Sequence, residues 1–193
     1  MLLTPGLLLL APPTQDDDPT FRRTVVLLID QEPSGITTGL ALNRPIEGRS
    51  VADESALALL FVPEPHATAF WGGPVGSDPA ILAQFRSTDD LDWFHLPIQQ
   101  RRPFPLSDVG VIAVAEHPGP FEDRILRSRL FVGLCVWGRG QLEAEVERAT
   151  WLIQTRATPD DVFSAEPDRL WQHLLERTGP AEKGKRFQSD TIT

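Results

Sequence analysis

Residues 23–30 read Arg23-Thr-Val-Val-Leu-Leu-Ile-Asp30, and this run decides the fold. It is rich in β-branched residues and continuously apolar rather than alternating, which is the pattern of a strand covered on both faces. A turn at residues 31–35 follows, and residues 37–42 read as a second strand that stops at Asn43-Arg44-Pro45. Two strands joined by such a short turn predict a hairpin, with the first strand at the centre of a sheet.

Shorter apolar runs and helical patterns surround this hairpin. Leu7 to Leu10 reads as a first strand, and Gln141 to Thr155 as an amphipathic helix, because apolar residues recur there at i, i+4, i+7 and i+11. The other segments are assigned from apolar runs broken by Gly and Pro. Helices are predicted over 51–60 and 168–177, and strands over 67–71 and 109–115. Residues 124–136 are predicted to begin as a helical turn and to end as a strand, residues 87–102 are mostly loop, and the apolar stretch over 80–85 is assigned to neither helix nor strand.

The length and composition indicate one domain. The chain has 193 residues, of which 41% are hydrophobic, enough for a substantial core. We assign residues 1–178 to the domain and residues 179–193, which have no apolar periodicity, to a disordered tail. The apolar N-terminus lacks a basic region and is broken at Pro5-Gly6, so it reads as a strand rather than a signal peptide. With no apolar run of ~20 residues elsewhere, the sequence predicts a cytoplasmic protein that does not enter a membrane.

Charge and the sparse reactive residues exclude several classes of function. The formal net charge is −9, which repels polyanions and argues against direct binding to nucleic acid or to an anionic membrane. Cys135 is the only cysteine, and it ends an apolar run where a buried, inert thiol is expected. The four histidines lack metal-ligand spacing, and there is neither a serine-hydrolase elbow nor a phosphate-binding P-loop. We therefore predict no metal, no cofactor and no catalytic residue.

Three turns carry residue types that are costly in a generic loop. Pro45 biases Arg44 to an extended backbone and so fixes the direction of its side chain. The turn at 72–74 can expose successive N–H groups to an anion, and the turn at 137–143 offers the free N–H donors of a helix N-terminus. Brought to one side, the turns would form a ligand pocket; a purely structural role is the alternative. The candidate ligand-binding residues are Arg22, Asn43, Arg44, Gly72, Gly73, Trp137, Gly140, Gln141 and Glu143.

An acidic residue and two arginines flank the start of the first long strand. They are Asp18, Arg22 and Arg23. An ion pair that fixes this corner is favoured over a binding site there.

Several segments, taken in order, resemble the signature series of the YqgE/AlgH family. They are Asp18-Pro-Thr-Phe-Arg-Arg-Thr-Val-Val-Leu-Leu, Gly39-Leu-Ala-Leu-Asn-Arg-Pro45, Gly72-Gly-Pro-Val75, Phe131-Val-Gly133, Trp137, Gly140-Gln-Leu-Glu143, Trp151 and Trp171. The resemblance covers residues 5 to 177. It implies a single-domain α+β fold in which a mixed, bifurcated β-sheet with barrel-like character is flanked by helices.

The same resemblance does not imply an enzyme, because no catalytic residues are established for the family. The family is named partly for a proposed regulatory link to alginate synthesis. This chain departs from the family pattern at Leu134 and Val136, where a Tyr and a Gly are usual, and at Arg139, where Pro is common.

Two hypotheses about function follow. The first is a non-enzymatic regulatory or interaction protein whose partner, a protein or a small molecule, is unidentified. The second is a binder of a small anionic ligand, or an unrecognised enzyme, with a pocket formed by the three turns. Regulation of transcription through direct DNA binding is disfavoured by the acidic charge.

Overall fold

The computed structural model describes residues 3–54, 58, 62, 66–86, 109–113 and 125–177. In this part of the chain, nine strands form one sheet and four helices accompany it. The strands are β1 (Leu7–Leu10), β2 (Val25–Gln31), β3 (Thr37–Ala41), β4 (Pro45–Ser50), β5 (Thr68–Trp71), β6 (Val75–Phe85), β7 (Val109–Ala113), β8 (Ile125–Trp137) and β9 (Leu152–Arg156). The helices are α1 (Val51–Glu54), α2 (Gln141–Glu147), α3 (Pro159–Val162) and α4 (Pro167–Arg177).

The sheet divides at β8. Along one edge β8 pairs antiparallel with β6; along the other it pairs parallel with β5 and then antiparallel with β3. One branch runs in the order β4-β5-β8-β3-β2-β1-β9, and the other consists of β6 and β7. The mixed, bifurcated sheet implied by the resemblance is therefore confirmed. Its barrel-like character does not extend to closure, because β4, β7 and β9 each pair with a single strand within the described residues.

The central hairpin is confirmed, and both of its faces are covered. Strand β2 pairs antiparallel with β3 on one side and with β1 on the other. Val25 and Leu27 lie in a core that includes Leu170 and Leu174 of α4, whereas Val26 lies in a core on the opposite face. Alternate residues of one continuous apolar run thus enter two different cores, which is why the run shows no polar alternation.

The second of these cores is rich in tryptophan. Trp137 and Trp151 pack there with Leu142 from α2 and with Leu28 from β2. A third core lies under the other branch of the sheet and contains Val51, Ala58, Val62, Ala69, Ile81, Ala83, Phe85 and Leu130.

The helix predicted over residues 141–155 is wrong in its second half. Helix α2 ends at Glu147, the chain turns through Ala149 with φ of 57°, and residues 152–156 form β9 on the free edge of β1. The apolar spacing was misleading because Ile153 packs against the tryptophan-rich core from a strand rather than from a helix. The hydrogen bonds available along β1 outweigh the helical pattern of this segment.

Other segments also differ from the expectations. Strand β3 ends at Ala41, so the predicted stop before Asn43-Arg44-Pro45 is confirmed, but the sequence did not predict that another strand, β4, begins at Pro45. Strand β8 begins at Ile125, so the predicted helical turn there is wrong. The open stretch at 80–85 belongs to the long strand β6. The strand predicted at 67–71 and the last helix are confirmed, and β7 covers residues 109–113 of the strand predicted at 109–115. Helix α1 covers residues 51–54 of the predicted 51–60 helix. The predicted loop at 87–102 and the tail at 179–193 lie outside the described residues.

None of the helices in the described ranges is long and apolar enough to cross a bilayer.

Candidate functional site

Three of the predicted ligand-binding residues line one small cavity. Arg22, Asn43 and Arg44 surround a space of about 280 Å³ where the loop before β2 meets the turn between β3 and β4. We call this space the corner cavity; its remaining lining residues are Asp16, Arg23 and Asp168.

Asn43 fastens the two sides of this corner together. Its side-chain oxygen accepts a hydrogen bond from the Val25 N–H at 2.8 Å, and its side-chain nitrogen donates to the Arg23 carbonyl at 2.8 Å. Asn43 is buried, so these two bonds satisfy a polar group that would otherwise be costly. The asparagine therefore holds the turn after β3 against the start of β2.

Arg44 binds the backbone of the same loop. Its Nη2 donates to the Arg22 carbonyl at 2.7 Å and the Thr20 carbonyl at 3.2 Å, and the Thr24 hydroxyl accepts from Nε at 3.1 Å and from Nη2 at 2.7 Å. Burial, and then the nearby Arg22 guanidinium, lower the pKa of Arg44, although Asp18 partly opposes this. Among the described residues, no carboxylate pairs with Arg44.

The ion pair at this corner involves a different acid from the one expected. Arg23 pairs with Asp16, Nε to Oδ1 at 2.9 Å and Nη2 to Oδ2 at 3.0 Å. This pairing lowers the pKa of Asp16 and raises that of Arg23. Asp18 instead accepts hydrogen bonds from the Thr20 and Phe21 N–H groups at 2.7 and 3.0 Å, which shapes the loop.

The two glycines at residues 72 and 73 pack directly on β8. A Cβ atom on Gly72 would lie 2.2 Å from the Gly133 oxygen, and one on Gly73 would lie 2.1 Å from the Leu134 carbonyl carbon. The Gly72 N–H donates to the Val132 carbonyl at 2.8 Å, so this N–H is already engaged within the sheet. The glycines lie next to the corner cavity, since Trp71 N–H donates to the Arg44 carbonyl at 2.8 Å, but they do not line it.

The turn at 137–143 lies at the other end of β3. Trp137 pairs with Thr37 at the start of that strand, whereas Arg44 follows its end, and the strand itself spans about 13 Å. Trp137, Gly140, Gln141 and Glu143 are absent from the lining of the corner cavity. The corner cavity therefore gathers only part of the predicted set, and ligand binding by these residues stays a prediction.

Side-chain hydrogen bonds close this second turn on itself. Gln141 Oε1 accepts from the Gly138 N–H at 3.0 Å, and Gln141 Nε2 donates to Glu145 Oε1 at 2.9 Å. Glu145 Oε2 in turn accepts from the indole N–H groups of Trp137 and Trp151. Gly140 precedes the helix with φ of 72°, a backbone angle that glycine adopts without strain.

A row of aromatic rings connects the two ends. Phe21 lies between Trp71 and Trp151, with ring centroids 6.0 and 5.4 Å apart, and Trp151 meets Trp137 edge-on at 6.1 Å. Phe21 directly precedes Arg22, so this row of rings begins beside the corner cavity and ends at the distant turn.

Glu145, which joins three side chains, was not among the site residues predicted from the sequence, nor were the cavity-lining residues Asp16 and Asp168. The position of Glu145 four residues after Gln141 was a usable signal, because residues at that spacing share a helix face. No local signal marked Asp168, since the fold brings it to the corner from a distant part of the chain, whereas Asp16 lies only six residues before Arg22.

Cys135 is buried, as predicted, and burial raises its pKa to about 12. Its Sγ–H donates to the Gly72 carbonyl at 3.4 Å. Within the described ranges, no three potential metal ligands come together.

Comparisons with known proteins agree with these observations. A family model described as AlgH-like matches residues 8–183. A UPF0301 protein of Thermobifida fusca is 36% identical over 176 residues, which cover 90% of this chain and 86% of the relative. A UPF0301 protein of Streptomyces avermitilis is 34% identical over 173 residues, covering 89% of this chain and 85% of the relative.

Two solved structures are similar in fold. A crystal structure of a Corynebacterium diphtheriae protein matches with a TM-score of 0.77 and 22% identity, over 97% of this chain and 94% of that one. The solution structure of the AlgH protein from Pseudomonas aeruginosa matches with a TM-score of 0.60 and 21% identity, over 95% of each chain. At such low identity the two matches support the fold alone.

Proposed function

This chain belongs to the AlgH-like family, and from that premise we propose that it is a regulatory or interaction protein that binds a small anionic group, a carboxylate or a phosphate, in the corner cavity. The family resemblance carries no reaction to assign. The chemistry of the cavity favours binding over turnover, because its strongest features are cationic side chains rather than a nucleophile next to a base.

The observation that carries this proposal is the pair of guanidinium groups of Arg22 and Arg44. Both line the corner cavity, and neither has an ion-pair partner among the described residues. Two like charges in a partly buried space repel each other, and an anion placed between them would remove that repulsion and accept charge-assisted hydrogen bonds.

The rest of the lining supports a small ligand of limited charge. Three arginines and two aspartates leave one net positive charge in the cavity, within a chain whose net charge is −9. Asp16 is ion-paired with Arg23. The carboxylate of Asp168 has no such partner among the described residues that line the cavity and would repel a large polyanion. A monoanionic or dianionic group fits this balance better than a nucleic acid backbone.

The two arginines would have different roles. Arg44 is held by two backbone carbonyls and a hydroxyl, so its direction is fixed before any ligand arrives. Arg22 makes no side-chain hydrogen bond with the described residues and is exposed, so it can close over a ligand. For this reason Arg22 can be changed with little risk to the fold.

The test is a titration with inorganic phosphate and with succinate, followed by native mass spectrometry and calorimetry. We expect Arg22→Gln to weaken binding by about tenfold or more, the scale of one charge-assisted contact. Arg148→Gln removes an exposed charge from the end of α2, far from the cavity in sequence, and should change affinity by less than about twofold. Equal binding by the wild type and Arg22→Gln would contradict the proposal.

Recovery of the bound compound separates binding from catalysis. A ligand recovered unchanged after prolonged incubation supports a binding protein. Conversion of the ligand, lost in Arg22→Gln, would instead identify an enzyme at the same cavity.

A further inference from the structure

A second cavity lies beside Arg129, where β8 meets β5 and the connection between α3 and α4. Its volume is about 380 Å³, within the usual range for a small-molecule site. Its walls include the apolar side chains of Val51, Val62 and Phe70, and hydroxyl-bearing residues such as Thr68 stand at its rim. We call it the Arg129 cavity.

The position of the Arg129 guanidinium is fixed by its neighbours. Nη1 donates to the Val162 carbonyl at 3.1 Å, Nη2 donates to the Ser164 carbonyl at 2.9 Å, and the guanidinium carbon lies 4.2 Å from the centre of the Phe70 ring. A guanidinium has five N–H donors, so these two bonds leave three without a partner in the described part of the chain.

The charge of Arg129 is not balanced by a carboxylate of the described residues. The two acids of the adjacent helix α3 are committed elsewhere: Asp160 pairs with Arg127 at 3.0 Å, and Asp161 pairs with Arg177 at 3.1 and 3.2 Å. Arg127 and Arg177 each have a carboxylate partner on α3, whereas Arg129 has none among the described residues.

Burial adds to this imbalance. Removal from water, and then the nearby charge of Arg127, lower the pKa of Arg129 to about 10. A cation in such surroundings gains more from a nearby anion than the same cation in water.

We propose that the Arg129 cavity binds a small carboxylic acid with an apolar body, whose carboxylate pairs with the Arg129 guanidinium and whose body packs against Val51, Val62 and Phe70. The geometry gives each half of the ligand its own partner: the unpaired guanidinium fits a planar carboxylate through two parallel hydrogen bonds, and the apolar side chains of the lining give the body of the ligand a surface to pack against. This site is separate from the corner cavity and rests on different residues.

The two cavities are neighbours. Arg44 lines the corner cavity and Pro45 the Arg129 cavity, and Asp168 and Pro167 are divided in the same way.

The first experiment is a calorimetric titration of the full chain with acetate, butanoate, hexanoate and hexanamide. We expect affinity to rise about fourfold for each added methylene until the cavity is full, the factor that corresponds to ~0.8 kcal/mol per buried methylene. Hexanamide has the same apolar body but no charge, and it should bind at least about tenfold more weakly than hexanoate.

Three variants locate the binding. Arg129→Gln should abolish the preference for hexanoate over hexanamide, whereas Arg127→Gln, on the same strand but ion-paired to Asp160, should leave that preference within about threefold. Ala165 is exposed and lines the cavity, so Ala165→Phe should block hexanoate while leaving Arg129 in place. The Ala165 variant decides the question if Arg129→Gln does not fold.

Several results would overturn the inference. These are equal binding of acetate and hexanoate, a preference for carboxylate that survives Arg129→Gln, or unchanged hexanoate binding in Ala165→Phe. Hexyl phosphate binding more than about tenfold more tightly than hexanoate would overturn the assignment to carboxylates. Arg22→Gln should leave hexanoate binding unchanged, so failure at this site and failure at the corner cavity can be told apart.

Discussion

Trp137 and Trp151 donate their indole N–H groups to the same atom, Oε2 of Glu145, each at a distance of 2.9 Å. The two rings meet edge-on, and both are buried. One carboxylate oxygen thus joins the end of β8 to the start of β9, with α2 between them. The segment predicted as one long helix is held in its helix-turn-strand form by this shared acceptor.

We expect Glu145→Ala to lower the free energy of unfolding by about 2–4 kcal/mol, because two buried indole N–H groups lose their acceptor. Glu147→Ala is the matched control, since Glu147 lies on the same helix and is exposed; its effect should stay within about 0.5 kcal/mol. Urea unfolding monitored by circular dichroism measures both. Equal effects would show that the shared acceptor contributes little.

Gly72 allows the close approach of β5 to β8. We expect Gly72→Ala to destabilise the fold by more than about 3 kcal/mol, because its Cβ would lie 2.2 Å from a backbone oxygen that cannot move aside. Gly138→Ala is the control: the nearest atom, at 3.7 Å, belongs to a side chain, and the cost should be at most about 1 kcal/mol. Thermal denaturation compares the two variants, and similar melting temperatures would contradict the steric argument.

Ala149 holds a left-handed backbone angle, φ of 57°, where the chain leaves α2. This costs an alanine about 1–2 kcal/mol, so Ala149→Gly should stabilise the protein by about 0.5–1 kcal/mol after the entropic cost of glycine. The same substitution at Ala144, inside α2, should destabilise by up to about 1 kcal/mol. Denaturation of both variants should show a higher free energy of unfolding for Ala149→Gly and a lower one for Ala144→Gly. A lower free energy of unfolding in both would contradict the strain at Ala149.

Cys135 gives a prediction about pH. Its pKa is raised by burial to about 12 in the folded protein, above the ordinary value of 9.0 that it regains on unfolding. Between these values the unfolded thiol loses its proton while the folded thiol keeps it, so this contribution to stability is complete below pH 9 and declines as the pH rises. Urea midpoints between pH 8 and 10.5 should fall more steeply for the wild type than for Cys135→Ala.

A thiol reagent checks the same environment kinetically. At pH 8 the folded protein should react far more slowly than a free thiol, and full reactivity should return in denaturant. Rapid labelling of the folded protein would contradict the burial of Cys135.

The elements that could be predicted are those whose pattern has only one local solution. Strand β2 is apolar at every position because it lies between two cores, and α4 buries Leu170 and Leu174 on one face. Strand β9 could not be predicted in this way. Its state depends on the free edge of β1, which no window of sequence around residues 152–156 contains.

The candidate site shows a similar division. The unusual residues of the three turns were identified correctly as constrained, but Asn43, Gln141 and Gly72 make their main contacts with the protein's own backbone and side chains. The sequence shows that a turn contains residues unusual for a loop. Which groups those residues contact is decided by tertiary structure, and the sequence does not show it. Arg129 carried no signal in the sequence, because an arginine in a strand is ordinary, and only the structure shows that the nearby Asp160 and Asp161 pair with Arg127 and Arg177 instead.

Strand β1 ties the first residues of the chain to the last third of it. Leu10 pairs with Leu152, and the Trp171 indole donates to the Ala11 carbonyl at 2.8 Å. During synthesis β1 leaves the ribosome long before β9, so one of its edges stays open until β9 emerges. Such distant pairing makes folding slow and keeps an aggregation-prone edge exposed in the nascent chain. A chaperone is therefore expected to be needed while the segment between β2 and β9 is being translated, and not after β9 has paired with β1.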